Sequence, residues 1–164
     1  MRAIWKTVLQ SHPMSEKCEP ETKVNTTMIE KEEIMERLLI VVPSYKDRYD
    51  RYIQENYELG EERLIYVDIS DFVKHVIECY QRKKTDEFDA LFEVIEELHT
   101  NGESFVKEFA TVGILESFQN QLPDENIEYI EFEKCLKPES KRWWNHVIDF
   151  WNGKTPYIGG PMKE

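Results

Sequence analysis

At 164 residues and 19.7 kDa, with 40% apolar and 33% charged residues, the chain is long enough for one domain with a real hydrophobic core. Only 6 glycines and 7 prolines are present, too few for a turn-rich sandwich or barrel, and this favours helices. A net charge of −12 argues against nucleic-acid binding and against docking on an anionic membrane, since both need a basic surface.

The N-terminus has basic residues at Arg2 and Lys6 but no unbroken apolar run and no small-residue cleavage site, so no signal peptide is expected. Residues 1–27 read as a flexible or dispensable extension, with a short amphipathic turn at Ile4, Trp5, Val8 and Leu9. Met14 and Met28 are further candidate translation starts. Cys18, Cys79 and Cys135 are odd in number, far apart and without CxxC spacing, which predicts reduced thiols in the cytoplasm.

A first helix is predicted over 28–42, capped by Thr27, with Ile34, Leu38 and Val41 on one seam and Pro43 as its stop. The apolar run at 38–42 is far too short to span a membrane. A second helix, 44–56, carries Tyr45, Tyr49, Tyr52 and Ile53 on one side. After the break at Gly60, Ile65, Ile69, Phe72, Val76 and Tyr80 predict a third helix to about Lys83. Its start is open, with Asp68 or Ser70 as alternative caps if 64–67 is extended.

Thr85 is the expected cap of a fourth helix, whose stripe is Phe88, Leu91, Phe92, Ile95 and Leu98 and whose stop is Asn101-Gly102. A fifth runs from Glu103 or Ser104 to Gln119. It is apolar almost all round over 109–118, the pattern of a central helix packed on several sides. Gly113 costs that helix about 1 kcal/mol relative to alanine, which predicts close approach of another helix there. Leu122-Pro123 breaks the chain before a short helix over 125–136. Pro138 then opens a last helix to Trp151, and 153–164 is an irregular tail. The sum is an all-α, compact domain of six or seven helices over 28–152, with stacked helical hairpins as one possible arrangement.

Charge is the most uneven property of this chain. Residues 85–139 hold fifteen acids against Lys107, Lys134 and Lys137, so this stretch alone accounts for the whole net charge. Because the same stretch has the strongest helical patterning, it predicts a folded acidic face, either a dock for a basic protein or simply a solvated surface. The candidate partner-binding residues are Glu93, Glu96, Glu97, Glu116, Glu125, Glu128 and Trp144. Glu116 is the sole ionisable side chain within 109–118, so it must reach solvent or a partner. Of Trp143 and Trp144, about 100° apart on a helix, at most one is expected to face the core fully.

No motif names a reaction. Glu96-x-x-His99 has di-iron spacing but occurs in one copy, and Asp71 with His75, four apart, lacks a third ligand. No serine lies on a nucleophile elbow, no cysteine stands in a recognisable motif with histidine, and no glycine-rich phosphate loop precedes a helix. Catalytic, cofactor and metal sites are therefore left unassigned.

At 105–120 the chain resembles the signature of a bacterial family of small, acidic, all-helical proteins of unknown function. That signature has a Gly-aromatic-Leu-Glu run after a Gly-Asp-type turn, and a downstream Gly-Pro-x-Ser helix with Trp. Gly102-Glu103 matches the turn, Gly113-Ile114-Leu115-Glu116 the core with Ile for the aromatic, and Lys137-Pro138-Glu139-Ser140 the later helix with Lys for Gly. The resemblance covers about 70–152 and transfers no catalytic residue. Some proteins of this look act as immunity partners of bacterial toxins, and the resemblance implies that role as one expectation.

The leading expectation is a non-enzymatic protein-binding module, in its specific form an immunity-type inhibitor whose acidic face covers the active site of a basic toxin. The alternatives are a structural or adaptor domain with no basic partner, and a metal-dependent hydrolase using Glu96, His99 and Glu116. No cofactor is expected, and composition does not set the oligomeric state.

Overall fold

The computed structural model describes residues 28–159. Seven α-helices build the described chain: α1 (Ile34–Val41), α2 (Lys46–Asn56), α3 (Ile65–Gln81), α4 (Phe88–Asn101), α5 (104–121), α6 (Ile130–Glu133) and α7 (Pro138–Trp151). Short 3-10 turns at Lys31–Glu33, Pro43–Tyr45 and Pro123–Glu125 precede or join them. The β pairing among the described residues is one bridge, Ile29 to Gly102.

The sequence locates all seven helices but overextends two of them and misplaces several caps. The first, predicted over 28–42, is helical only from Lys31, because Ile29 is held in the bridge to Gly102. Thr27 lies outside the described residues; at the start of α1 it is the Glu33 carboxylate that accepts the Glu30 N–H at 2.8 Å and pairs with Arg37 at 2.9 Å. The N–H of Glu30, and then Arg37, hold Glu33 below the usual carboxylate range. At α3 the helix starts directly after Leu64, so neither Asp68 nor Ser70 caps it, and Asp68 turns into the protein. Thr85 gives its carbonyl, not its side chain, to the Phe88 N–H at 3.1 Å. The helix predicted over 125–136 shrinks to α6. Asn126 sits at φ 56, and the Ile127 N–H bonds back to Leu122 O at 3.0 Å, which closes the preceding turn.

Helix α5 is the centre of the packing, against α3, α4 and α7, as its all-round apolar pattern demands. Phe109, Ala110, Ile114, Leu115 and Phe118 are fully buried. Its middle, Phe109–Leu115, is wound as a π-helix, with the Glu116 N–H reaching back to Thr111 O. Gly113 belongs to this wide turn, but its reason is internal. A Cβ there would stand 2.7 Å from Phe109 Cε2, a ring on the same helix, not on a neighbour. Gly113→Ala is therefore expected to destabilise by about 1–3 kcal/mol through overpacking, despite the better helix propensity of alanine. Urea denaturation checks the sign; a gain in stability would mean the Phe109 ring moves aside freely.

The Asn101-Gly102 stop holds for a similar reason. Gly102 has an ordinary φ of −73, but a Cβ there would collide with Leu98 O and come within 2.5 Å of Val106 Cγ1. Removing that side chain lets Ile29 clip the α4–α5 corner. Its N–H bonds to Asn101 O and its carbonyl accepts the Glu103 N–H, both at 2.9 Å.

On α7 one tryptophan faces the core fully, as expected, and the other is nearly as well covered. Trp143 is 6% exposed and Trp144 0%, because α7 wedges between α4 and α5 and is covered on two sides. Trp144 meets Tyr129 edge-on at 5.7 Å, and so presents no surface to a partner.

Candidate functional site

The acidic surface is organised around α4. Asp86, Asp89, Glu93 and Glu97 recur at helical spacing, and all four are exposed, because Phe88, Leu91, Phe92, Ile95 and Leu98 take the opposite face into the core. Cations stand at the edges of this stripe. Lys137 pairs with Glu93 at 2.7 Å, and Arg37 approaches Glu97 at 3.8 Å. Phe88 and Phe92 touch the Phe132 ring of α6, which brings the acidic segment carrying Glu131 and Glu133 against the start of α4.

The other carboxylate candidates divide. Glu96 leaves the stripe and caps α7: its oxygens accept the Glu139 N–H at 2.9 Å, the Ser140 N–H at 2.8 Å and the Ser140 hydroxyl at 2.7 Å. Partial burial opposes its ionisation, but these donors at a helix N-terminus prevail and lower its pKa. Glu125 lies at the far end of α3, accepting from Gln81 at 2.8 Å, and Glu128 is exposed just beyond it. Glu116 is half-buried on α5 with no hydrogen bond or ion pair among the described residues, and burial raises its pKa. Structure thus joins Glu93 and Glu97 in one face, assigns Glu96 to a structural cap, and leaves Glu116, Glu125 and Glu128 apart from them.

Two of the three ligands named for a hydrolase, Glu96 and His99, are occupied by other contacts. His99 is buried, with Nδ1 2.8 Å from Ile95 O and Nε2 3.2 Å from the Thr111 hydroxyl. Only an acceptor faces Nδ1, so the proton sits there and Nε2 accepts from Thr111. Asp71 takes Arg48 in a bidentate pair and the Tyr45 hydroxyl at 2.9 Å, so it is not a partner for His75. Among the described residues no three His, Cys, Asp or Glu side chains gather as a metal set.

A Ser44–His75–Glu87 cluster joins the start of α2 to α3 and the approach to α4, a juxtaposition the sequence does not reveal. Its order is wrong for a nucleophile. Ser44 Oγ donates to Glu87 at 2.5 Å, so His75 Nε2, 2.9 Å away, must itself donate to Oγ and cannot draw off its proton. Cys79, 3.5 Å from the same nitrogen, is a free half-buried thiol whose pKa burial raises.

Sequence reasoning also passed over Asp68 as a site residue. It is 3% exposed in the first turns of α3, and one oxygen accepts the hydroxyls of both Tyr52 (3.1 Å) and Tyr57 (2.5 Å). The signal was present: Asp68 lies three residues after Ile65 and four before Phe72, on the apolar seam itself.

These features define a class, an all-α domain with an acidic helix face and, among the described residues, no group of three His, Cys, Asp or Glu side chains that could hold a metal. Within that class the chain belongs to the family described as a domain of unknown function, DUF7674, whose pattern it matches over residues 35–152. No curated protein and no solved structure matches the chain. No described helix is long and apolar enough to cross a membrane.

Proposed function

We propose that this chain is a non-catalytic module that binds a basic protein on the exposed face of α4. In its most specific form it is an immunity-type inhibitor, whose carboxylates cover the cationic active site of a toxin in the cytoplasm. The observation that carries this reading is the run of Asp89, Glu93 and Glu97 along one exposed side of α4, continued by Asp86 in the turn before it. Successive like charges three or four residues apart, about 5–6 Å along the helix, each lie within a Debye length of the next and together raise the local potential, which speeds encounter with a basic surface and selects against acidic ones. Lys137 and Arg37 at the edges temper that field without covering it.

The test is a triple reversal, Asp89→Lys, Glu93→Lys and Glu97→Lys, against a control reversal of Glu125 and Glu128. Partners recovered from lysate at low salt should be lost at high salt. On the purified partner the triple variant should bind roughly ten- to a hundredfold more weakly, with the control near wild type. Unchanged affinity in the triple variant would instead favour a structural or adaptor domain whose charge only keeps it in solution.

A further inference from the structure

A cavity of about 420 Å³ opens between α1, α2 and the start of α3, on helices that contribute no carboxylate to the acidic α4 face. Met35, Tyr49 and Ile65 form its walls, and Asp68 is the most buried residue lining it. We propose that this cavity binds an alkylammonium or guanidinium group, with Asp68 as its counter-ion.

Three observations converge on a cation. Asp68 Oδ1 takes both tyrosine hydroxyls, while Oδ2 has no donor among the described residues. A carboxylate this buried is costly unless it is paired, and its place in the first turns of α3 offsets only part of that cost. Second, Glu32 and Glu62 also line the cavity, and neither they nor Asp68 form an ion pair among the described residues. Third, the two cations on the same rim rest on aromatic rings and pair with no carboxylate among the described residues. Lys31 Nζ lies 5.1 Å over the Phe105 ring and Arg63 Cζ lies 4.7 Å over Tyr57. The cavity therefore keeps an excess of negative charge, which rejects an anion. Its walls suit the rest of such a ligand: Met35, Ile65 and Tyr49 would take an alkyl stem. The group can arrive on a small free amine or guanidine or at the end of a basic side chain.

The probes are butylammonium, butylguanidinium, neutral butylurea, and the blocked tripeptides acetyl-Gly-Lys-Gly-amide and acetyl-Gly-Arg-Gly-amide. Each is titrated into the full-length protein by calorimetry and by NMR of the Met35 and Ile65 methyls. At least one cation should bind saturably with a Kd of about 1 mM or tighter and shift both methyls, while butylurea does not. Binding should fall at least tenfold in Asp68→Asn, which keeps an acceptor for Tyr52 and Tyr57. Tighter binding of the tripeptides identifies a basic side chain as the source, and equal or tighter binding of the free cations identifies a small molecule. Saturation by none of the four cations up to about 20 mM, shifts confined to other methyls, or butylurea binding as well as butylguanidinium overturns the proposal. If Asp68→Asn fails to fold, the wild-type contrast between butylguanidinium and butylurea decides alone. The triple α4 reversal should leave this binding unchanged, so the two readings fail separately.

Discussion

Lowering the pH from 6.5 to 4 is expected to remove about 3 kcal/mol of folding stability through His99 alone. Burial is the main cause of the drop in its pKa to about 4, and it outweighs the Ile95 carbonyl and Glu96, which favour the charged ring. The unfolded chain takes up the proton near pH 6.5 and the folded one only near 4, so within that window the unfolded state binds more protons. Stability is thus complete above the upper limit and is lost as pH falls to the lower. His75 is also lowered, by burial and then Arg48, and acts with the same sign. Glu116, raised by burial, acts oppositely: its contribution is present at low pH and lost as pH rises through its folded pKa. Glu33, Glu96 and Glu131 are lowered below 4.5 and lose their contributions at the acid end, mostly beneath the His99 range. Urea midpoints at pH 7, 6 and 5 for wild type, His99→Gln and His75→Gln separate these effects. The slope should persist in His75→Gln and largely vanish in His99→Gln. A wild-type midpoint that stays level to pH 5 would show that Thr111, turning its hydroxyl toward Lys107 O 3.3 Å away, accommodates the charged ring.

His99 also shows which part of the architecture was open to a sequence reading. Helix existence was legible wherever apolar residues recurred without interruption, and 109–118 read as central because no side of it was polar. His99 and Asp68 were legible too, had the polar residues on an apolar seam been read as buried: His99 follows Ile95 by four, and Asp68 precedes Phe72 by four. Contacts between distant segments were not. Nothing local to Glu96 says that it caps a helix opening more than forty residues later, and its Glu96-x-x-His99 spacing pointed to metal instead. The π-helix has no residue signature of its own, since it is a slip in hydrogen-bond register that Gly113 and the Phe109 ring accommodate together. Trp144 failed as a surface anchor because burial of a helix depends on how many neighbours cover it, which the period of one helix does not report.

The same divide governs function. The acidic α4 face follows from charge and period within one helix, and the sequence could propose it. The Asp68 cavity needs α1, α2 and α3 placed together, and only the fold reveals it. Both would put carboxylates where a basic partner or ligand meets them, from separate segments of the described chain, 31–68 and 86–97, and by independent side chains.

Asp71→Ala should cost about 2–4 kcal/mol, the second large effect expected here. Its carboxylate is the meeting point of α2 and α3. Arg48 donates through Nε at 2.9 Å and through a second nitrogen at 2.5 Å, and the fully buried Tyr45 donates at 2.9 Å. Arg48 also reaches Glu78 at 3.2 Å. Burial, and then the Asp71 hydrogen bond, push the Tyr45 phenol far above its usual range, so it is a permanent donor. Truncating Asp71 leaves that buried hydroxyl and most of a guanidinium without partners, and the cost of unpaired donors exceeds the worth of the bonds themselves. Arg48 and Asp71 keep 25% and 22% side-chain exposure, so solvent screens part of the loss and the figure sits below that for a fully buried pair. Removing both charges together, as Arg48→Met with Asp71→Leu, should cost less than Asp71→Ala, because no donor fork is stranded. Tyr45→Phe should cost about 1 kcal/mol, one neutral hydroxyl bond. Urea denaturation of Arg48→Met, Asp71→Leu and the double variant closes the cycle. A coupling energy below about 0.5 kcal/mol would show that the pair is screened like a surface bridge and that α2 is held to α3 by its tyrosines instead.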